Sequence, residues 1–348
     1  MFDKKNLYHY LFTISLIVVA SYVGNRFQKS FSVEKNDDHE MIRNYLLNDT
    51  PLFGGKKPKI WIHSKYEVNA RVWLSFQLRN STNLNQPYLH LTIKSIIEHC
   101  GNDFHICLID DNSFSKLLPN WDADIFNMAE PFKSRFRELA LLELVYVYGG
   151  MIVPNSFVCS RNLKELYQEG ITDKTPFVCE RINRTNNVVE QKKKLLFIPD
   201  TYFIGSEKSN STIRELIEYL KSRNRNIHFQ SETEILGDTS QWLIKAINKH
   251  SFNLIGGEKI GIKTTKRTQI LLEDLLEEKD LDIDKNAYGV YIPDDELLSR
   301  TKYQWFTVMS LQELLSSKLA IIRQLKISMN EANNEYNKKS EIPSLQSI

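Results

Sequence analysis

The chain has 348 residues, 42% of them hydrophobic and 25% charged, with a formal charge of +2 at neutral pH. These are values of an ordinary globular chain, long enough for one elaborated domain with appendages. The balance of 45 basic against 43 acidic residues leaves no long-range field or basic face, which excludes a nucleic-acid partner.

No charged residue stands between Lys5 and Arg26, and Leu11, Phe12, Ile14, Leu16, Ile17, Val18 and Val19 make the centre of that stretch strongly apolar. At about 1.5 Å per helical residue this run crosses a hydrocarbon core of about 30 Å. Residues 1–27 are therefore expected to be a short cytoplasmic tail and a transmembrane signal anchor, with Tyr8, Tyr10 and Tyr22 at the interfaces. A cleaved signal peptide is the alternative, because Val18-Val19-Ala20 offers small residues before a cut. N-x-[ST] patterns at Asn48, Asn80, Asn183 and Asn210 suit a lumenal or extracytoplasmic domain, and so a single-pass type II membrane protein. Residues 28–57 are polar and read as a stalk that turns at Gly54-Gly55.

The folded part is expected over 58–328. Lys59-Ile60-Trp61-Ile62-His63 is too continuously apolar for a surface strand and reads as a central parallel one. Val72-Trp73-Leu74-Ser75-Phe76 is a short strand or helical turn. Leu89, Ile93, Ile96 and Ile97 recur at helical spacing up to Cys100-Gly101. Phe104–Ile109 is a second buried strand, closing on Asp110-Asp111-Asn112. Strand, helix, strand in that order predicts a right-handed crossover in a doubly wound α/β sheet. A long helix follows from Pro131, ended by Tyr148-Gly149-Gly150 before the strand Met151-Ile152-Val153.

Further on, Leu195–Ile198 and Thr201–Gly205 read as a hairpin around Pro199-Asp200. Ile213–Leu220 and Ser240–Ile247 read as helices, the second capped by Asp238 or Thr239. Residues 264–284 read as a charged helix, Val290–Pro293 as a late strand, and Leu311 onward as a last helix, with a disordered tail over 329–348. Cys100, Cys107, Cys159 and Cys179 are too dispersed for a zinc ribbon and form no CxxC pair. They read as small buried hydrophobes, with one disulfide left open if the domain faces an oxidising compartment. Walker, GxGxxG, HExxH and GxSxG motifs are all absent, which removes kinase, dehydrogenase, zinc-protease and serine-hydrolase readings.

Pro58-Lys59-Ile60-Trp61-Ile62-His63, a helix through Ser95, Ile109-Asp110-Asp111 and a helix ending in Tyr148-Gly149-Gly150 follow one another in a set order. Over roughly residues 58 to 165 this order resembles the DXD-containing sugar-transferase glycosyltransferases and the related capsular polysaccharide synthesis proteins. The resemblance implies a GT-A-like (Rossmann-like) mixed sheet flanked by helices, behind the N-terminal transmembrane helix. It also implies a UDP- or GDP-hexose donor, a glycan or protein-linked acceptor, and hexose transfer with retention.

In that family the strand after the glycine pair ends in two carboxylates one residue apart, able to hold Mg²⁺ or Mn²⁺ against the donor diphosphate. Here it reads Met151-Ile152-Val153-Pro154-Asn155-Ser156, so Pro154 and Ser156 stand where both aspartates belong. No metal ligand is therefore expected, and a divalent cofactor is doubtful. Of the family's K-[AS]-D-x-x-R pattern only the carboxylate remains, as Glu138.

Two readings stay open. In the first, transfer persists: Arg135 and Arg137 neutralise the diphosphate, Asp110 or Asp111 holds the donor's ribose or base, and Glu138 holds a sugar hydroxyl. His63, Asn155 and Ser156 then complete the donor site, and Asp238 joins Glu138 as a candidate catalytic carboxylate. In the second, the fold survives as a structural or interaction module at a membrane without catalysis. The bland alternatives are an Asx turn for Asp111 or Asn112, a surface ion pair for Glu138, a packed histidine for His63 and a helix cap for Asp238.

Overall fold

A computed structural model describes residues 57–64, 86–119, 121–183, 195–225 and 232–340. The expected anchor, the stalk up to residue 56 and the Val72–Phe76 segment lie outside the described residues. Among the described residues no helix is long and apolar enough to cross a membrane.

The first strand, β1 (Lys59–His63), has Ile60, Trp61 and Ile62 wholly buried, as a strand covered on both faces requires. It leads through helix α1 (Tyr88–Cys100) to β2 (His105–Ile109), which pairs parallel to it from Lys59↔His105 to His63↔Ile109. A short helix α2 (Ser113–Leu117) and the long α3 (Phe132–Tyr148) follow. Gly149 and Gly150 then turn the chain with φ of 70° and 96° into β3 (Gly150–Ile152), parallel to β1 on its other side. A Cβ on Gly150 would lie 2.3 Å from the backbone oxygen of Lys59, so only glycine lets the two strands approach this closely. The indole of Trp61 donates to the Gly149 carbonyl at 3.0 Å and fastens the same junction.

Beyond β3 come β4 (Phe157–Cys159), α4 (Lys164–Gly170), β5 (Phe177–Ile182) and β6 (Phe197–Ser206). Next are α5 (Ser211–Arg225), α6 (Glu232–Asn248) and β7 (Asn253–Ile255). The main sheet has the order β2-β1-β3-β6-β5-β7, with β6 antiparallel to both neighbours. The expected hairpin at Pro199-Asp200 is instead this one continuous strand. Its register against β5 jumps from Val178↔Ile204 to Cys179↔Asp200, so Thr201, Tyr202 and Phe203 form a bulge that re-aims their side chains.

The chain then passes through α7 (Leu272–Leu275), β8 (Gly289–Tyr291), α8 (Asp294–Ser299), α9 (Gln304–Val308), α10 (Leu311–Ser316) and α11 (Ala320–Ser340). Strands β4 and β8 pair antiparallel as a separate small sheet. Residues 264–284 hold only the four-residue α7: Thr264 spends its side chain on a local turn with Thr268, and Thr265 reaches across to Asp282. The last helix is broken at Ser317 and then runs to Ser340, past Met329 where order was expected to end. One apolar core joins the sheet to α3, α5 and α6 through Leu142, Val145, Leu216 and Leu243. A second packs α1 and β8 against the C-terminal helices through Leu91, Ile292, Phe306 and Ile322. The result is a mixed α/β domain.

Candidate functional site

Open α/β sheets bind ligands beyond the carboxyl ends of their parallel strands, where neighbouring connections diverge. Here β1 connects to β2 on one side and lies beside β3 on the other, so that edge carries His63, Ser64, Asp110, Asp111 and Pro154–Ser156. The register Ile152↔Ile204 places Thr201 of the β6 bulge beyond the end of β3, at the same edge.

Asp111 is held from two sides. Arg137 on α3 donates from Nε at 2.9 and 3.1 Å and from Nη2 at 2.7 Å, a bidentate fork, while His63 Nε2 lies 2.9 Å from Oδ1. His63 is itself stacked on Phe114 at 5.4 Å, which fixes its ring. Burial would raise the Asp111 carboxyl, but hydrogen bonds from His63 and Arg137 hold it well below the usual carboxylate range. Asp110 has the other job: its carboxylate accepts from the Ser113 amide at 2.9 Å and the Ser113 hydroxyl at 2.5 Å, starting α2. The local turn expected of Asp111 or Asn112 therefore belongs to Asp110, which leaves Asp111 to face the site.

Arg135 and Arg137 do not act together. Two positions apart on a helix they diverge by about 200°, and Arg135, 6% exposed, faces a different recess. That recess is lined by Arg135, Glu138, Leu220, Arg223, Asn224, Asp238 and Thr239; it measures about 260 Å³ with its open mouth, and its enclosed part has room for one water. Glu138 is not a surface carboxylate. It accepts a 2.6 Å hydrogen bond from the Thr201 hydroxyl and a longer one from Thr239 at 3.5 Å. Burial pushes its carboxyl up to about 7 and the charge of Asp200 adds to this, against Thr201, Thr239 and Arg135. Burial also depresses the Arg135 guanidinium, with Asp238 and Glu138 opposing. Asp238 lies within α6 and is not its cap; its Oδ1 is 3.6 Å from Arg223 Nη2.

The tip of β3 corrects one expectation. Ser156 is fully buried and donates from Oγ to the Ile292 carbonyl at 2.7 Å, while the Ile292 amide returns a bond to the Ser156 carbonyl. It joins the small sheet to the domain and does not face a ligand. Asn155 is half-buried and its carbonyl accepts from Thr92 Oγ1 at 2.5 Å. Pro154 supplies no side-chain donor, so this tip does not fit a divalent ion. Among the described residues no group of three or more His, Cys, Asp or Glu side chains converges as a metal cradle.

A second network at this edge had no motif to announce it. Arg181 of β5 pairs with Asp200 at 3.3 Å and with Asp295, and its guanidinium lies 5.4 Å over the Tyr202 ring. Tyr202 packs at 4.9 Å against Tyr291 and donates to the Glu180 carbonyl at 2.7 Å. Glu180 receives Lys263 and the Gly257 amide. Burial alone would lower the Arg181 guanidinium, but Asp295, Tyr291 and Asp200 carry it well above its ordinary value. Among the described residues two buried hydroxyls, Ser64 Oγ and Tyr88 OH, meet no hydrogen-bond partner, a condition that costs about 1–3 kcal/mol each.

Among solved structures the chain is similar to the apo-form glycosyltransferase GlyE of Streptococcus pneumoniae TIGR4, at 10% identity and a TM-score of 0.33. The match covers 84% of this chain and 66% of that one, so the chain spans about two thirds of GlyE. It is also similar to the galactosyltransferase LgtC solved with donor and acceptor sugar analogues, at 8% identity and a TM-score of 0.34, covering 81% of this chain and 99% of that one. No protein-family model matches the chain, and no curated protein does. Likenesses this distant assign no function.

Proposed function

We propose that the chain is a hexosyltransferase with a GT-A-like domain, moving a hexose from a UDP- or GDP-hexose to a glycan or protein-linked acceptor with retention. What carries the reading is a pair of held carboxylates at the edge where β1 and β3 end and β6 begins: Asp111 with His63 and Arg137, and, in a separate recess, Glu138 with Thr201 and the charge of Asp200. The segments that carry the resemblance fall on β1, the end of β2 and the α3–β3 junction.

In this reading ionised Asp111 accepts from the donor's ribose or base, kept charged and oriented by Arg137 and His63 as positioning residues. Arg135 answers the charge that gathers on the leaving diphosphate. Glu138, its carboxyl raised to about 7, keeps about half its proton at neutral pH and in that form donates to a sugar hydroxyl at the open mouth of the recess, and Asp238 orients Arg135 across it. Asn155 borders the sugar. The acceptor oxygen bonds to the anomeric carbon as the bond to the diphosphate oxygen breaks, the acceptor's proton passes to that departing oxygen, and no step needs a metal at the β3 tip. The N-terminal segment serves as a membrane anchor with the domain outside the cytosol.

The second reading, a catalytically inactive relative at a membrane, draws on a specific feature: the Asp111 carboxylate is already engaged by Arg137 and His63, and the β3 tip carries no charge. Turnover of a panel of UDP- and GDP-hexoses by the full chain, with and without Mn²⁺, separates the two. Release of the nucleoside diphosphate without Mn²⁺, lost in Glu138→Ala at unchanged melting temperature, supports the transferase. No release from any donor leaves the inactive module.

A further inference from the structure

All four cysteines are buried thiols, but their surroundings differ. Cys100 is the last residue of α1 and Cys159 the last of β4, and their sulfurs lie 3.9 Å apart with both side chains fully enclosed. Cys107 donates its thiol to the His105 carbonyl at 3.8 Å, and among the described residues neither it nor Cys179 meets another sulfur.

The backbone around the close pair is already pinned: the Cys159 amide donates to Ser95 Oγ of α1 at 2.9 Å, and Thr92 of the same helix holds the Asn155 carbonyl. A bond of about 2.05 Å requires the sulfurs to close by about 1.9 Å. The cost is one weak contact, from Cys159 Sγ to the Arg161 carbonyl at 3.1 Å. We propose that Cys100 and Cys159 are a cross-linking site, oxidised to a disulfide when the chain folds in the presence of a disulfide oxidant.

Each thiol gives up its proton and the pair forms one S–S bond. The two electrons pass to the oxidant, oxidised glutathione or an oxidoreductase disulfide, which leaves as two thiols. Burial, with Cys100 adding, raises the Cys159 thiol well above its ordinary value, so the finished fold holds little thiolate. Exchange therefore belongs to the folding chain, before the sulfurs are enclosed. The bond closes a loop between positions 59 apart and ties α1 to the strand that follows the Asn155-Ser156 turn. It would form in an oxidising compartment and not in a reducing one, making the pair a record of which side of a membrane the domain occupies.

The test is refolding of the full chain with oxidised and reduced glutathione, alkylation, and peptide mapping without reductant. The expected map links the Cys100 and Cys159 peptides and finds Cys107 and Cys179 alkylated. The oxidised protein should melt about 5–10 °C above the same protein refolded with dithiothreitol. Cys100→Ser, or Cys159→Ala if the first fails to fold, should lose both the link and the redox-dependent difference. Four alkylated cysteines, or a link that involves Cys107 or Cys179, overturns the proposal, whatever the outcome of the donor assays.

Discussion

Glu138→Gln tests the electrostatics of the site through stability alone. The carboxyl moves from an ordinary 4.5 to about 7 on folding. The folded state therefore binds this proton more tightly than the unfolded state, and the resulting stabilisation is complete below pH 4.5 and lost as pH rises through 7. At 1.36 kcal/mol for each tenfold change in proton affinity, the loss amounts to about 3 kcal/mol. Glutamine keeps the neutral shape and still accepts from Thr201, so the variant does not pay to ionise. Urea unfolding of the full chain from pH 4 to pH 8 should show the variant gaining on wild type by about 3 kcal/mol across that range. Parallel stability curves would show that Glu138 ionises freely in the folded protein and would refute the argument.

Arg137→Ala should cost about 3 kcal/mol at pH 7, because it leaves a largely buried carboxylate with His63 alone. Asp111 is depressed on folding, so its contribution exists above the ordinary carboxylate range and fades as pH falls through its folded value. The loss should therefore shrink in melts at pH 3, and Asp111→Asn combined with Arg137→Ala should recover part of it; equal losses at pH 7 and pH 3 would contradict the clamp. Ser156→Asp restores one carboxylate of the family motif but buries it against the Ile292 carbonyl. It should destabilise by about 3 kcal/mol or more and create no Mn²⁺ site, and a stable variant that binds Mn²⁺ in a metal titration would contradict the packing role of Ser156.

The elements legible in the sequence were those whose apolar runs face both layers: β1, β2, α3 and the glycine pair. Strand β5 was missed because Phe177-Val178-Cys179 is a short run that passes directly into Glu180-Arg181. The bulged β6 resembled a hairpin because Pro199-Asp200 is turn chemistry, whereas pairing with β5 overrides it. Asp111 was legible as a carboxylate at a strand end. Its division of labour with Asp110 was not, since that depends on Ser113 and on Arg137, which lies 26 positions away. The burial of Ser156 follows from Ile292, and the Arg181 network joins Asp200 and Asp295, 19 and 114 positions distant. Periodicity reports which face a residue presents and says nothing about such partners.

Calorimetric titration of the full chain with UDP- and GDP-hexoses, without added metal, tests most directly whether this sheet edge is a donor site. Saturable binding of one donor is predicted, unchanged by Mn²⁺ and weakened about 10- to 100-fold in Asp111→Asn, as loss of a charge-assisted hydrogen bond requires. No saturation at millimolar donor, or equal affinity in a folded Asp111→Asn protein, would contradict it.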